Sequence, residues 1–139
     1  MKELIEKNIQ HINPEGLMKN PAFSQVVITQ GTGRTIYIGG QNAVSAGREI
    51  VGKGSLSLQT EQALKNIQTA LAACGATFDN ITKLNIFIAQ GQNAAEAFKA
   101  SQAFMQGPYP PAITVLFVAG LSNADFLIEI DAVAFQPGL

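Results

Sequence analysis

The sequence predicts an α+β domain in which about six strands form a sheet with two helices packed on one face. Three features predict it: strand-sized apolar runs rich in β-branched residues, two amphipathic stretches of helical spacing separated by one such run, and Gly, Pro and Asn punctuation between them. A length of 139 residues fits a single domain, residues 1–139, with an ordinary core.

Leu4 to Ile12 reads as a first strand, with Ile5 and Ile9 apolar among polar neighbours, and Asn13-Pro14-Glu15-Gly16 reads as a turn. Gln25 to Thr29 follows, and Gly31-Thr32-Gly33 turns the chain into Thr35 to Gly39 as a hairpin. A phosphate loop should hand over to a helix, and this glycine pair hands over to a strand instead. Gly39 and Gly40 end that strand without a Cβ, which lets a ligand or a backbone come close. A loop from Asn42 to Gly54 carries Arg48 and Lys53. Ser57 is placed to cap a helix whose Leu64, Ile67, Leu71 and Cys74 share one stripe, and Gly75 suits the residue just past its end.

Ile81 to Ala89 is the next strand, and Gln90 to Asn93 lead into a second helix with Ala94, Ala97, Phe98, Ala103, Phe104 and Met105 apolar. Gly107-Pro108 stops it. Pro110 and Pro111 hold the chain extended into Ala112 to Ala119, and after a turn at Gly120 to Asp125 the strand Phe126 to Phe135 returns as a hairpin partner. On it Phe126, Ile128, Ile130, Ala132 and Ala134 share one face, and Glu129 and Asp131 share the other. No Lys or Arg occurs between Ala100 and Leu139, so this segment offers no cation for those carboxylates or for an anionic ligand.

Composition narrows the function. A formal net charge of −1, a pI near 5.7 and nine dispersed basic residues argue against nucleic acid as a ligand. No apolar run approaches the roughly 20 residues of a membrane span, and the charged start MKELIEK does not read as a signal peptide, so a cytoplasmic protein is expected. One cysteine, Cys74, excludes an internal disulfide. With no Lys, Arg or His beside it in the sequence, it reads as a core residue. One histidine, His11, gives no metal pair and no evident triad, and no metal or cofactor is expected. So few charges and so many aliphatic residues imply that a partner chain buries surface, and a homo-oligomer is the economical solution.

Several segments together resemble the Rid/YjgF family, the reactive intermediate deaminases also known as endoribonuclease L-PSP-like proteins. They are Phe23-Ser24-Gln25, Gly39-Gly40-Gln41, Gln62 to Ile67 running to Cys74-Gly75-Ala76, Ile81 to Ile88, Pro111-Ala112 and Ile128 to Ala134. The likeness spans about Pro21 to Phe135 and implies a chorismate-mutase-like fold, a homotrimer and clefts between adjacent subunits. Family deaminases hydrolyse enamines and imines to 2-oxo acids, using an arginine after the Pro-Ala dipeptide as a carboxylate clamp.

That position is Ile113 here, and an aliphatic side chain cannot pair with a carboxylate. A hydroxyl-bearing aromatic expected in the first loop is Phe23, and a position often holding an amide is Phe98. The resemblance keeps Glu129 as the residue that would hold a water, with backbone around Gly40, Thr114 and Val115 lining the cleft. Glu129 is equally open to a structural role at an interface, and Asp131 reads as structural. Arg48 is a candidate substitute clamp.

The resulting expectation is a trimeric, arginine-lacking member whose cleft binds a small, largely neutral molecule. The alternative is an imine or enamine hydrolase on a less acidic substrate, with Glu129 positioning water. A ribonuclease reading is poor for so acidic a chain, and chorismate mutation needs cations that the Ile113 region lacks.

Overall fold

The computed structural model describes residues 2–138 of the chain. Its elements are α1 (Lys2–Asn8), β1 (Ile9–Ile12), β2 (Val26–Thr29), β3 (Gly33–Gln41), α2 (Leu56–Ala73), a 3₁₀ turn at Phe78–Asn80, β4 (Ile81–Ala89), α3 (Ala94–Ser101), β5 (Ala112–Val118) and β6 (Ile128–Pro137). Four strands form a mixed sheet in the order β3-β6-β4-β5, and β1 and β2 form a separate antiparallel ribbon. A parallel bridge between Ser24 and Ala112 joins the ribbon to β5.

The core lies between α2 and one face of the large sheet. Leu64, Ile67 and Leu71 of α2 are buried against Leu84 and Ile88 of β4 and Ile128, Ile130, Ala132 and Ala134 of β6. Each large aliphatic side chain so buried contributes roughly 1.5–3 kcal/mol. Polar side chains complete the packing at fixed points. Gln59, fully buried, donates to the carbonyls of Gly52 (3.3 Å) and Asp125 (3.0 Å) and accepts from the Leu127 amide (2.9 Å), pinning the loop before β6 to the start of α2. Asn80 donates to the Phe135 carbonyl (2.9 Å) while its own oxygen accepts from the Thr77 amide (3.0 Å).

Four expectations about the elements and their pairing are corrected. The first segment is a helix before it is a strand: Ile5 and Ile9 are spaced by four, a helical interval, and the Asn8 side chain closes the turn on the Leu4 carbonyl at 2.7 Å. Val26–Thr29 pairs with β1 rather than forming a hairpin with Thr35–Gly39, which instead runs against β6. The segments after Pro111 and after Asp125 do not form a hairpin either. β4 lies between them, parallel to β5 and antiparallel to β6, and so has both backbone edges hydrogen-bonded. Finally, Ser55, not Ser57, caps α2, its hydroxyl accepting from the Leu58 amide at 3.1 Å.

The far end of α2 is closed by Cys74 and Gly75, the latter at φ 72°. Cys74 is half-buried rather than on the core stripe, and it does have a cation close by: the Arg34 guanidinium donates to its carbonyl at 2.8 Å. Gln136 donates to the Gly75 carbonyl at 2.9 Å, so β3 and β6 both hold the end of the helix. No helix among the described residues is long and apolar enough to cross a membrane.

The cap assignment is directly testable. Ser55→Ala should lower unfolding free energy by about 1 kcal/mol, whereas Ser57→Ala, on the exposed side of the first turn, should cost under about 0.5 kcal/mol in urea denaturation.

Candidate functional site

Alternation along β5 and β6 sorts the candidate residues into two groups on opposite faces of the sheet. On the helix face, Phe23, Phe98, Ile113 and Val115 come together around a cavity of about 650 Å³. Ile113 and Val115 sit beside Leu84 and Ile86 of β4, and Ile128 and Ile130 form the next row. α3 lies over one side and contributes Ala94, Ala97 and Phe98. The loop ending at Phe23 closes another side, held by the Ser24 amide on the Pro111 carbonyl at 2.9 Å. Among the described residues no Lys, Arg or His lines this cavity, and Asp79 is the one acidic residue that does.

On the other face, Glu129 projects between those two isoleucines toward β3. Gly40 makes room for it: a Cβ there would lie 2.4 Å from Glu129 Oε2. The pairing of β3 with β6 shifts between Ile38 and Gln41, and Gly39 and Gly40 fall inside that irregularity. Asn42 donates from Nδ2 to Glu129 Oε1 (3.3 Å) and to the Ile128 carbonyl (3.1 Å).

Asn42 is in turn fixed from α2. Asn66 donates to the carbonyls of Asn42 (3.1 Å) and Val44 (3.0 Å), and Gln62 donates to the Asn66 side-chain oxygen (2.9 Å). Carbonyls only accept, so these contacts set which end of each amide faces which partner. Gln62 and Asn66 thus hold the backbone at Asn42, and the Asn42 side chain, set by the Ile128 carbonyl, donates to the carboxylate.

Asp131, on the same face, accepts from Asn85 at 2.8 Å and is occupied within the sheet. Thr114 is also there, its hydroxyl accepting from Lys83 at 2.6 Å, and so stands apart from the cavity its neighbours Ile113 and Val115 line. Arg48, at φ 66°, is exposed in the turn between Val44 and Ile50 and is not among the cavity residues.

Sequence reasoning missed Asn42 and Asn66, whose roles depend on contacts across the chain, and it left His11 without a role. His11 Nδ1 is 2.9 Å from the Pro110 carbonyl, which Ser24 also engages, and its ring stacks on Tyr109 at 5.6 Å between centroids. Since a carbonyl cannot donate, Nδ1 carries the proton and Nε2 is the acceptor in the neutral ring. Burial holds the His11 pKa below its usual 6.5, against the opposing effect of the Pro110 hydrogen bond. With Tyr109, Lys2, Glu6 and Asp79 it borders a second cavity of about 420 Å³ beneath α1.

A mixed sheet covered by helices on one face, with an apolar cavity on that side and a cradled glutamate on the other, defines an α+β protein of the YjgF type. Residues 17–136 match the family model described as Endoribonuclease L-PSP, and the chain belongs to that family. A mouse 2-iminobutanoate/2-iminopropanoate deaminase is 31% identical over 103 residues, covering 74% of this chain and 75% of the relative. The mitochondrial protein mmf1 of Schizosaccharomyces pombe is 30% identical over 126 residues, 90% of this chain and 75% of its own length. Among solved structures, the Rid-family protein YyfB of Yersinia pestis superposes with a TM-score of 0.82 at 35% identity, covering 91% of this chain and 98% of that one.

Two outcomes check the geometry. Gly40→Ala should push the Glu129 carboxylate off Asn42. Because the clash is with the far end of a flexible side chain, the stability cost should stay under about 1 kcal/mol while the Asn42 side-chain amide resonances shift in NMR spectra. For His11, the unfolded chain takes up a proton at a higher pH than the folded one. Its contribution is therefore complete above 6.5 and is lost as pH falls from there toward the lowered folded value. A His11→Gln variant should lose less stability than the parent between pH 7 and 5, measured by thermal unfolding.

Proposed function

We propose that this protein is a trimeric Rid-type small-molecule binder whose site forms between protomers and prefers ligands without a carboxylate. The observation that carries this reading is Ile113: the position at which the family resemblance places a carboxylate-clamping arginine holds an aliphatic side chain, in a cavity lined by no basic residue. A carboxylate placed there would lose its hydration with no partner, a cost of several kcal/mol.

Assembly is supported by the division of the site. The cavity and Glu129 lie on opposite faces of one sheet, so a single chain does not bring them together. A neighbour presenting its Glu129 face to this cavity would do so. That face also carries Tyr37 and Leu116, 79% and 48% exposed, which association would cover. Catalysis in such a site would be imine hydrolysis on a neutral substrate: Glu129, steadied by Asn42, accepts a proton from water as the water adds to the imine carbon and passes it to the nitrogen, then takes the proton of the carbinolamine hydroxyl and delivers it to the nitrogen as the carbonyl forms and ammonia leaves. The mouse relative's name as a 2-iminobutanoate/2-iminopropanoate deaminase supports this class of reaction for the chain.

Amino acid oxidase generating imines in the presence of semicarbazide, with and without the protein, provides the test. The parent protein should not accelerate loss of carboxylate-bearing imines, and Ile113→Arg should raise affinity for 2-oxo acids by at least about tenfold in isothermal titration. Rapid turnover of 2-imino acids by the parent would overturn the reading. Should a neutral imine prove to be hydrolysed, Glu129→Ala should lower its turnover by about 10²-fold or more.

A further inference from the structure

The cavity on the helix face runs from Ile113 and Val115 past Phe98 to Phe78 and Phe104, further than a head-group site at Ile113 requires. Ile86, Ile113 and Val115 form its partly exposed floor, and Leu64, Leu84, Ile88, Ile128 and Ile130 behind them are closed off in the core at 0–1% exposure. A space of about 650 Å³ with such a floor is the size of a small-ligand pocket.

The element over it is lightly anchored. α3 is eight residues long, buries only Ala97, and is flanked by Gly91, at φ 92°, and Gly107. Phe98 is 52% exposed on α3, and the rings of Phe78 and Phe104 meet at 5.9 Å along the same wall.

Building on the proposed site, we infer that the space beneath α3 is the chamber for the ligand's hydrocarbon part and that it takes an aromatic group bearing no carboxylate. Phe78, Phe98 and Phe104 supply faces and edges for an aromatic ring, and the isoleucine floor supplies contact without polar partners. The charge pattern gives the head-group preference. With no cation and one carboxylate, Asp79, among the described lining residues, a neutral head is accepted and a carboxylate is refused. α3 sets the ligand's size, and Ile113 at the mouth sets its charge.

The experiment uses the whole protein and N-phenyl-1-naphthylamine, a neutral probe that fluoresces in apolar surroundings, with 3-phenylpropanol and 3-phenylpropanoate as competitors sharing one hydrocarbon. The expected result is saturable fluorescence, with the alcohol displacing the probe at least about tenfold more effectively than the carboxylate, a ratio that Ile113→Arg reverses.

Ala94→Trp, which places an indole in the chamber from α3, should abolish probe binding while circular dichroism and the elution volume match the parent. Ala94→Leu serves as a milder plug and should weaken binding by a smaller factor. If both plugs bind the probe like the parent while Ile113→Arg still switches the head-group preference, the chamber is overturned and the proposed site stands. If neither head group nor Ile113→Arg makes a difference, both readings fall. Absence of any probe binding, the chamber being filled by a neighbouring protomer, also overturns the inference.

Discussion

The structure depends on β4 being covered from both sides. Ile81–Ala89 hydrogen-bonds to β5 along one edge and to β6 along the other, and its Leu84 and Ile88 take the stripe of α2. A strand in that position leaves no backbone group to water and none to an outside partner. It forces a parallel connection through α3, since parallel neighbours cannot be joined by a tight turn. It also separates β5 from β6 by one strand width. The cavity exists because α3 must span that crossover while α2, the longer helix, occupies the better part of the sheet. The site's geometry is thus a by-product of strand order.

Much of this was legible in the sequence, and the failures have physical reasons. Ile81–Ala89 was placed to the residue because Asn80 and Gln90 bracket a β-branched stretch in which Ile81, Leu84, Ile86, Phe87 and Ile88 are apolar. The alternating faces of Ile128 to Ala134 were readable because the period of two admits one buried set. Pairing was not readable in the same way. Two apolar strands with a nine-residue connection look like a hairpin, and only the strand-helix-strand pattern from Ile81 to Val118 signalled that the middle partner came earlier in the chain. At the N-terminus the four-residue spacing of Ile5 and Ile9 was a helical signal outweighed by the β-branched residues themselves.

The candidate site was half legible. Residue types at Phe23, Phe98, Ile113 and Val115 spoke of an apolar cavity, and they do line one. That Glu129 stands on the opposite face followed from alternation, yet what holds it did not: Asn42 is 87 positions away and Asn66 acts on a loop carbonyl. Amides of this kind carry no sequence pattern, because a single Asn on a helix is equally at home in water. Gln59 and Asn80 escaped notice for the same reason, although each satisfies backbone groups that would otherwise be stranded in the core.

The placement of Glu129 between Ile128 and Ile130 bears on how the chain reaches its fold. If β6 entered the sheet one residue out of step, every side chain would exchange faces: the carboxylates of Glu129 and Asp131 would be driven among Leu64, Ile67 and Leu71, and the isoleucines would be turned outward. Burying those charges unpaired costs several kcal/mol each. The shifted arrangement is therefore strongly disfavoured. A residue at the centre of the candidate chemistry thereby serves as a proofreading mark for strand register, and that service is rendered before any ligand is met.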